Sequence, residues 1–296
     1  MSDSESQPSL FAKSGSKINL FLEVVGRRPD GYHELDTIML RTDFTDSMQF
    51  IRLPSPELRL TLSADTPASI RADFPLDERN LIIQVATSLQ KMTNCRFGAE
   101  VIVHKQIPAQ SGLAGGSGNA ACTLRSLNRL WNLNLPDTEL HRIAAAHGSD
   151  INFLLADCRA AVCRGRGELI HPIRLTSPLW LFAARPRTGN STPAVFRSTQ
   201  LPTSPRSTDE TVAFLEGRIR GQLTDLCFNR LTEAAKQNNP EMALLMKSMS
   251  QQTDRPVYMS GSGSTCFVIC HNHRDARRLR SRLQLQNCSM CRILKI

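Results

Sequence analysis

Four glycines, Gly112, Gly115, Gly116 and Gly118, fall within seven residues of the segment IPAQSGLAGGSGNAACTLRSLN, residues 107–128. Glycines this dense carry a conformational-entropy cost and offer a core almost nothing, so the position needs bare backbone. An alternating run, AEVIVHKQI, leads into the segment as a strand. Ala120, Leu124, Leu127 and Trp131 line one side of a helix leading out of it. Strand, glycine loop and helix together aim several unpaired N–H groups at one point, with the positive end of the helix dipole behind them. The natural guest is an anion, held in a nest of amides that glycines at positive φ can shape. A glycine-rich turn with purely structural duties is the alternative. Three known phosphate or nucleophile loops do not fit. The Lys-Ser or Lys-Thr ending of the P-loop is missing, G-x-G-x-x-G does not match, and Asn119 stands where a nucleophile elbow has its last glycine.

The chain's 296 residues and formal net charge of +9 suit an anionic partner, either a phosphorylated small molecule or a nucleic acid. The basic cluster HRDARRLRSRL, residues 273–283, has Leu279 and Leu283 four apart, as on an amphipathic helix whose arginines face solvent. Aromatic residues are only 5%, too few for base-stacking platforms, so no nucleic-acid partner is expected. No apolar run approaches the ~20 residues of a membrane span, and no membrane partner is expected. The first residues, MSDSESQPSLFAKSGS, lack an apolar signal core and carry acids, so neither a secretory signal nor a transit peptide is expected. Residues 1–15 are read as a frayed tail. Nine cysteines, odd and scattered, do not make a disulfide framework. Cys288 and Cys291 in CSMC have no second CxxC to complete a zinc site, and Cys266 and Cys270 fall on an apolar strand pattern. Reduced thiols in a cytoplasm are the expectation, with no protein metal site.

The supporting elements follow from periodicity. KINLFLEVVG (17–26) is a strand ending in the turn RRPDGYHEL, and DSMQFIRL and LRLTLSA are further short strands. NLIIQVATSLQKM is a helix with Leu81, Val85 and Leu89 at spacing four and Asn80 as its cap. PDTELHRIAAAHG is a helix opened near Pro136 and stopped at Gly148, and GSDINFLLA begins another helical turn. AAVCRGRGELIHPI is a hairpin turning at Gly165 and Gly167, and PLWLFAARP is a buried strand. The Pro- and Ser-rich stretch 186–209 is expected as a partly mobile surface segment. Helices follow at 211–220 and 240–252, then strand, glycine turn and strand in PVYMSGSGSTCFVICHNH. The class is α+β, largely antiparallel sheets with helices packed on them. The halves are a nucleotide-binding domain at 1–160 and a second domain at 161–296, which contributes to substrate binding, with a cleft between them as the active site.

The glycine loop, GSDINFLLA and MSGSGSTCFVI resemble three segments of the GHMP kinases, in that family's order. SKINLFLEVVGRRPDGYHELDTIM resembles the N-terminal signature of one branch, the 4-diphosphocytidyl-2-C-methyl-D-erythritol kinases. The resemblance implies a two-domain kinase of the non-mevalonate isoprenoid pathway, moving the γ-phosphoryl group of ATP, with Mg²⁺, to the 2-hydroxyl of the diphosphocytidyl alcohol. It implies a catalytic pair, Lys17 and Asp150. An alcohol needs a carboxylate to take its proton, and the start of a helix favours an ionised Asp150. Lys17 would hold that charge and steady the developing oxyanion. It implies ATP contacts from Pro108 through Ala109, Gln110, Ser111, Gly112, Leu113, Ala114, Gly115, Gly116 and Ser117 to Gly118. Ser117 is also a candidate for phosphate or Mg²⁺ contact. It implies a cytidine pocket with Tyr32, His33 and Phe196, with Thr192 nearby, and a polar contact from Asn19 on the same strand face as Lys17. A helix cap for Asp150 and a solvated lysine at 17 are the plain alternatives.

The loop departs from the family's P-x-G-[AG]-G-L-G-G-G-S-S-[DN]-A-A. Gln110 and Ser111 replace small residues, Ala114 replaces a glycine, and Gly118 replaces a serine. Ala114 is tolerable at negative φ and costly at positive φ. Gln110 either crowds a phosphate or donates to it. A GHMP kinase for another small alcohol, and a silent binding protein of the same fold, are the competing expectations. The assembly is expected to be a monomer or homodimer.

Overall fold

The computed structural model describes residues 7–296. The chain divides into two compact units. One comprises the described part of Met1–Gly15 with Thr45–Ala109 and Gly115–Leu155, and the other Ser16–Phe44, Gln110–Ala114 and Ala156–Ile296. Two long strands, β1 (Ser9–Arg27) and β2 (His33–Leu53), pass through both.

In the first unit, the C-terminal part of β2 pairs antiparallel with β4 (Gly98–His104), which pairs parallel with β3 (Leu58–Leu62). After the single turn α1 (Ala68–Arg71), four helices cover this sheet: α2 (Leu81–Thr93), α3 (Gly115–Leu130), α4 (Asp137–His147) and α5 (Ser149–Leu155). The Asn80 side chain accepts from the Ile82 N–H, the expected cap, and Asn94 closes α2 in the left-handed region at φ 52°. Phe50, Val101 and Val103 from the strands and Ile82, Leu89, Leu124 and Leu127 from the helices are all buried. Gly98 is obligatory here, because a Cβ would collide with the Glu57 carbonyl. Its own carbonyl accepts from the Trp131 indole N–H at 3.0 Å.

In the second unit, β5 (Ala160–Gly165) pairs antiparallel with the first part of β2 and forms the expected hairpin with β6 (Leu169–Pro172). A four-stranded sheet runs in the order β11-β7-β10-β9. Its strands are β7 (Trp180–Pro186), β9 (Tyr258–Met259), β10 (Cys266–Cys270) and β11 (Cys288–Lys295), while β8 (Phe228–Asn229) pairs with β1. The helices are α6 (Thr192–Ser198), α7 (Asp209–Leu215), α8 (Leu223–Leu226), α9 (Thr232–Asn238), α10 (Pro240–Gln252) and α11 (His273–Arg282). Phe182, Ala184, Met242, Met249, Val268 and Leu279 share this unit's core. Cys266 and Cys270 are buried in it, as the strand pattern indicates, and the arginines of α11 are exposed while Leu279 and Leu283 are covered.

Three expectations change. Residues 9–15, read as tail, are strand, with Ser14 buried; residues 1–6 lie outside the described residues. β2 starts at His33, thirteen residues before DSMQFIRL. Its middle is buried in an unbroken run from Thr37 to Leu40, which hides the period-two signal. The Pro- and Ser-rich stretch contains α6, where Pro193 sits in the first turn, and the helix expected at 211–220 runs 209–215.

Candidate active site

In the second unit, β1 carries Lys17 and Asn19 on one face, 4% and 2% exposed. The Lys17 ammonium donates to Asn19 Oδ1 at 2.6 Å, and Asn19 Nδ2 donates to the Thr37 hydroxyl at 2.9 Å. The Asn19 backbone N–H donates to Ser260 Oγ at 3.1 Å, and that hydroxyl donates to the Gly112 carbonyl at 2.9 Å. The Lys17 N–H donates to the Leu113 carbonyl at 3.0 Å. Strand β1, the Gly112–Leu113 backbone and the SGSGS turn thus converge on the lysine. A Cβ on Gly261 would stand 3.2 Å from Lys17 Nζ, and one on Gly112 would strike the Ser260 carbonyl. Both glycines also have positive φ, at 56° and 76°, so a side chain at either would be strained, and at Gly112 it would also collide with backbone.

Gln110 and Ala114 adopt positive φ of 50° and 56°. The costly alternative for Ala114 is the one observed. The Gln110 side chain packs against Gly189, and its carbonyl accepts from the Asn190 N–H at 3.3 Å. The Ser111 carbonyl accepts from the Thr265 N–H at 3.0 Å.

The pocket residues named for the second unit come together only in part. The His33 ring lies on Phe196, centroids 5.2 Å apart and tilted 32°. Burial, and then the charge of Arg27, pulls the His33 imidazolium below its ordinary 6.5. Thr192 shares a hydrogen bond of 2.8 Å with the Ser262 hydroxyl, and the Ser262 carbonyl accepts from Asn190 Nδ2 at 2.7 Å. Tyr32 is 54% exposed, with the Arg166 guanidinium 4.9 Å over its ring. Asn190, Ser260, Ser262 and Arg166 are participants that sequence reasoning did not name. SGSGS was visible as a motif, but nothing in it separated ligand contacts from turn-building.

In the first unit, the loop passes into α3, whose opening residues are Gly115, Gly116, Ser117 and Gly118. A Cβ at Gly115 would meet Ile107 and the Lys105 ammonium, and one at Gly118 would meet the Gly15 carbonyl, whereas Gly116 faces open space. Replacement of the family's serine by Gly118 therefore matches a close approach of backbone. Behind this helix start lies a buried carboxylate. Asp46 Oδ1 accepts from the N–H groups of Gln106 and Ile107 at 2.7 and 2.9 Å, and Oδ2 accepts from Lys105 Nζ and Asn119 Nδ2 at 2.5 and 2.9 Å. Burial pulls the Lys105 ammonium below its usual range, and the Asp46 charge opposes that. Asp150 is the second residue of α5, two positions after Gly148, and is part-exposed. Two positions further, Asn152 pairs with His141 at 3.1 Å.

No helix among the described residues is long and apolar enough to cross a membrane. The GHMP kinases N terminal domain family matches residues 80–165, and GHMP kinases C terminal matches 213–288. The 4-diphosphocytidyl-2-C-methyl-D-erythritol kinase of Shouchella clausii (strain KSM-K16) is 38% identical over 271 residues, 90% of this chain and 88% of that one. The enzyme of the same name from Geobacillus kaustophilus (strain HTA426) is 37% identical over 270 residues, 90% and 91% of the two chains. A crystal structure of 4-(cytidine 5'-diphospho)-2C-methyl-D-erythritol kinase superposes with a TM-score of 0.75 at 26% identity, covering 96% of this chain and 99% of that one. The L. major mevalonate kinase in complex with R-mevalonate superposes at 0.72 with 14% identity over 100% and 98% of the chains, a likeness of fold alone. The α+β class expected from the sequence is the fold of these kinases.

Proposed function

Since the chain belongs to the GHMP kinases, and within them to the 4-diphosphocytidyl-2-C-methyl-D-erythritol kinases, we propose that it moves the γ-phosphoryl group of ATP to the 2-hydroxyl of the diphosphocytidyl alcohol. The 38% identity spread over 90% of the chain carries this reading. In it, the Asp150 carboxylate takes the proton of the attacking hydroxyl, a role general bases fill for about 10²–10⁴ in rate. Lys17, already oriented by Asn19, places its charge beside the oxygen that becomes negative. His33 and Phe196 grip the cytosine, the histidine through its ring nitrogens. Tyr32 closes over the base, and Thr192 supports the segment leading to Phe196. The run from Pro108 to Gly118 binds ATP, its glycine backbone and the first turn of α3 supplying N–H donors to the phosphates.

Mg²⁺, when bound to phosphate oxygens, neutralises charge on the triphosphate. The odd number and scattered spacing of the nine cysteines suit a reducing compartment, and we assign the enzyme to the cytoplasm and to isoprenoid precursor synthesis. The test is ADP release from ATP-Mg²⁺ on adding the diphosphocytidyl alcohol. Absence of release above background from folded protein rejects the assignment, and release with another small alcohol in its place redirects it within the superfamily.

A further inference from the structure

Cys288 and Cys291 are three apart in sequence, and on a regular strand side chains at that spacing point to opposite faces. Strand β11 is not regular there. Cys288 pairs with Pro186, Met290 with Arg185 and Cys291 with Ala184, so Ser289 is an extra residue, a β-bulge. Pro186 and Ala184 are two apart on β7 and share a face, so the bulge puts both cysteines on that face. It also shortens their separation to two strand steps, about 6.6 Å between Cα atoms. A disulfide spans about 4.4–6.8 Å, whereas three regular steps, about 10 Å, would be too far. β11 is the edge strand of its sheet. Cys291 is exposed, while Cys288 is half-buried against the cluster of Leu279 and Leu283.

We propose that Cys288 and Cys291 form a dithiol redox site that reacts with low-molecular-weight disulfides of the glutathione class. The Cys291 thiolate attacks one sulfur of the small disulfide, whose S–S bond breaks and releases one small thiolate, leaving a mixed disulfide on Cys291. Cys288 then gives up its proton to solvent. Its sulfur attacks the Cys291 sulfur, the mixed bond breaks and the second small thiolate leaves. The protein's two thiols are oxidised to one disulfide and the small disulfide is reduced to two thiols. The order of attack follows from exposure and from charge. The neighbouring Cys288 thiol, with help from the Arg280 charge on α11, pulls Cys291 below its ordinary range against the opposing effect of burial. The neighbouring Cys291, with burial, pushes Cys288 up, and the Cys288 Sγ–H donates to the Gln286 carbonyl at 3.7 Å. The nearest other thiol, Cys266 on β10, also pairs opposite Ala184, but it is fully buried and pushed up to about 12. An exposed thiol shifted toward its thiolate beside a protonated, half-buried partner is the arrangement exchange chemistry uses.

The site is independent of the kinase assignment, and its test reads thiols rather than turnover. The full reduced chain is equilibrated with glutathione and glutathione disulfide at set ratios, quenched in acid, alkylated and mapped by mass. The expected result is paired loss of two alkylatable thiols, linked within the 288–291 peptide and restored by reductant. Cys288→Ser should stop at one glutathione on Cys291, and Cys291→Ser should react at least about tenfold more slowly at neutral pH. Cys291→Ala, at the same exposed position, repeats that arm should the serine variant misfold. Full alkylation of both cysteines in an oxidising buffer overturns the proposal. So does preferential modification of another cysteine, or a linkage that forms equally fast in denatured chain.

Discussion

Asp46 and Lys105 meet as a buried ion pair at 2.5 Å, with the carboxylate 0% and the lysine 4% exposed. Each covers the other's charge, and Asn119 with the Gln106 and Ile107 amides fills the remaining acceptor sites of Asp46. Removing one partner strands a charge in the interior, which costs about 3–5 kcal/mol. Asp46→Ala should therefore lower the urea midpoint sharply. Replacing both partners, as Asp46→Leu with Lys105→Met, should recover part of the loss. A single variant as stable as the parent refutes the account.

Ala114 at φ 56° carries the strain that a Cβ brings to left-handed backbone, about 1–2 kcal/mol. Ala114→Gly relieves it but frees the unfolded chain by about 0.4–1 kcal/mol. The expected net gain lies between zero and about 1.6 kcal/mol, read from the midpoint of denaturation. A lower midpoint would mean that neighbouring contacts, not backbone strain, govern the position. Gly112→Ala is the control of opposite sign, since its Cβ would enter the Ser260 carbonyl.

Glu23 is buried with a two-point bond to Arg230, both contacts at 2.7 Å, and accepts from the N–H groups of Val24 and Arg206. Burial works to raise its carboxyl, but Arg230 and the two amides outweigh it and hold the group below its ordinary 4.5. A carboxyl lowered by folding adds stability that is fully present above about pH 4.5. That contribution fades as pH falls through the lower folded value. Glu23→Gln should thus cost stability at pH 7 and make it less sensitive to acid below pH 4.5. Equal acid sensitivity in parent and variant rules the linkage out.

The depressed His33 keeps its ring neutral at pH 7 and for some distance below 6.5. If it reads cytosine, KM for the diphosphocytidyl alcohol should rise as pH falls through that lowered value, with KM for ATP unmoved. His33→Phe should remove the pH response while keeping the stack on Phe196. A parallel shift in both KM values assigns the pH effect elsewhere.

Asp150→Asn should leave substrate binding near normal and lower kcat by about 10²–10⁴. A loss smaller than about tenfold returns Asp150 to the plainer role of helix-start residue.

What the sequence discloses here is whatever depends on neighbours in the chain. The Asn80 cap and the stop at Gly148 are local events, and the structure has them where periodicity and turn chemistry put them, whereas α3 begins at Gly115, within the stretch read as loop. Asp46 is the counterexample. In RTDFTDSMQF it looks like one more polar residue on an alternating strand, and only contacts 59 to 73 residues away make it a buried hub. The same holds for Gly118, whose reason is the Gly15 carbonyl, and for the sign of φ at Ala114 and Gln110, which no composition rule supplies. Of the candidate site, the loop and the β1 pair Lys17 and Asn19 were legible from motif and spacing. The Ser260 relay and the Asn190–Ser262 bond were not, because tertiary approach creates them.

One carboxylate, that of Asp46, fastens both the entry to the glycine loop at Gln106 and Ile107 and the helix beyond it at Asn119. These stretches are therefore fastened by the protein itself, so that under the proposed ATP-binding role little disorder is left there for binding to remove. Association at this part of the loop should resemble a key entering a lock that is already cut.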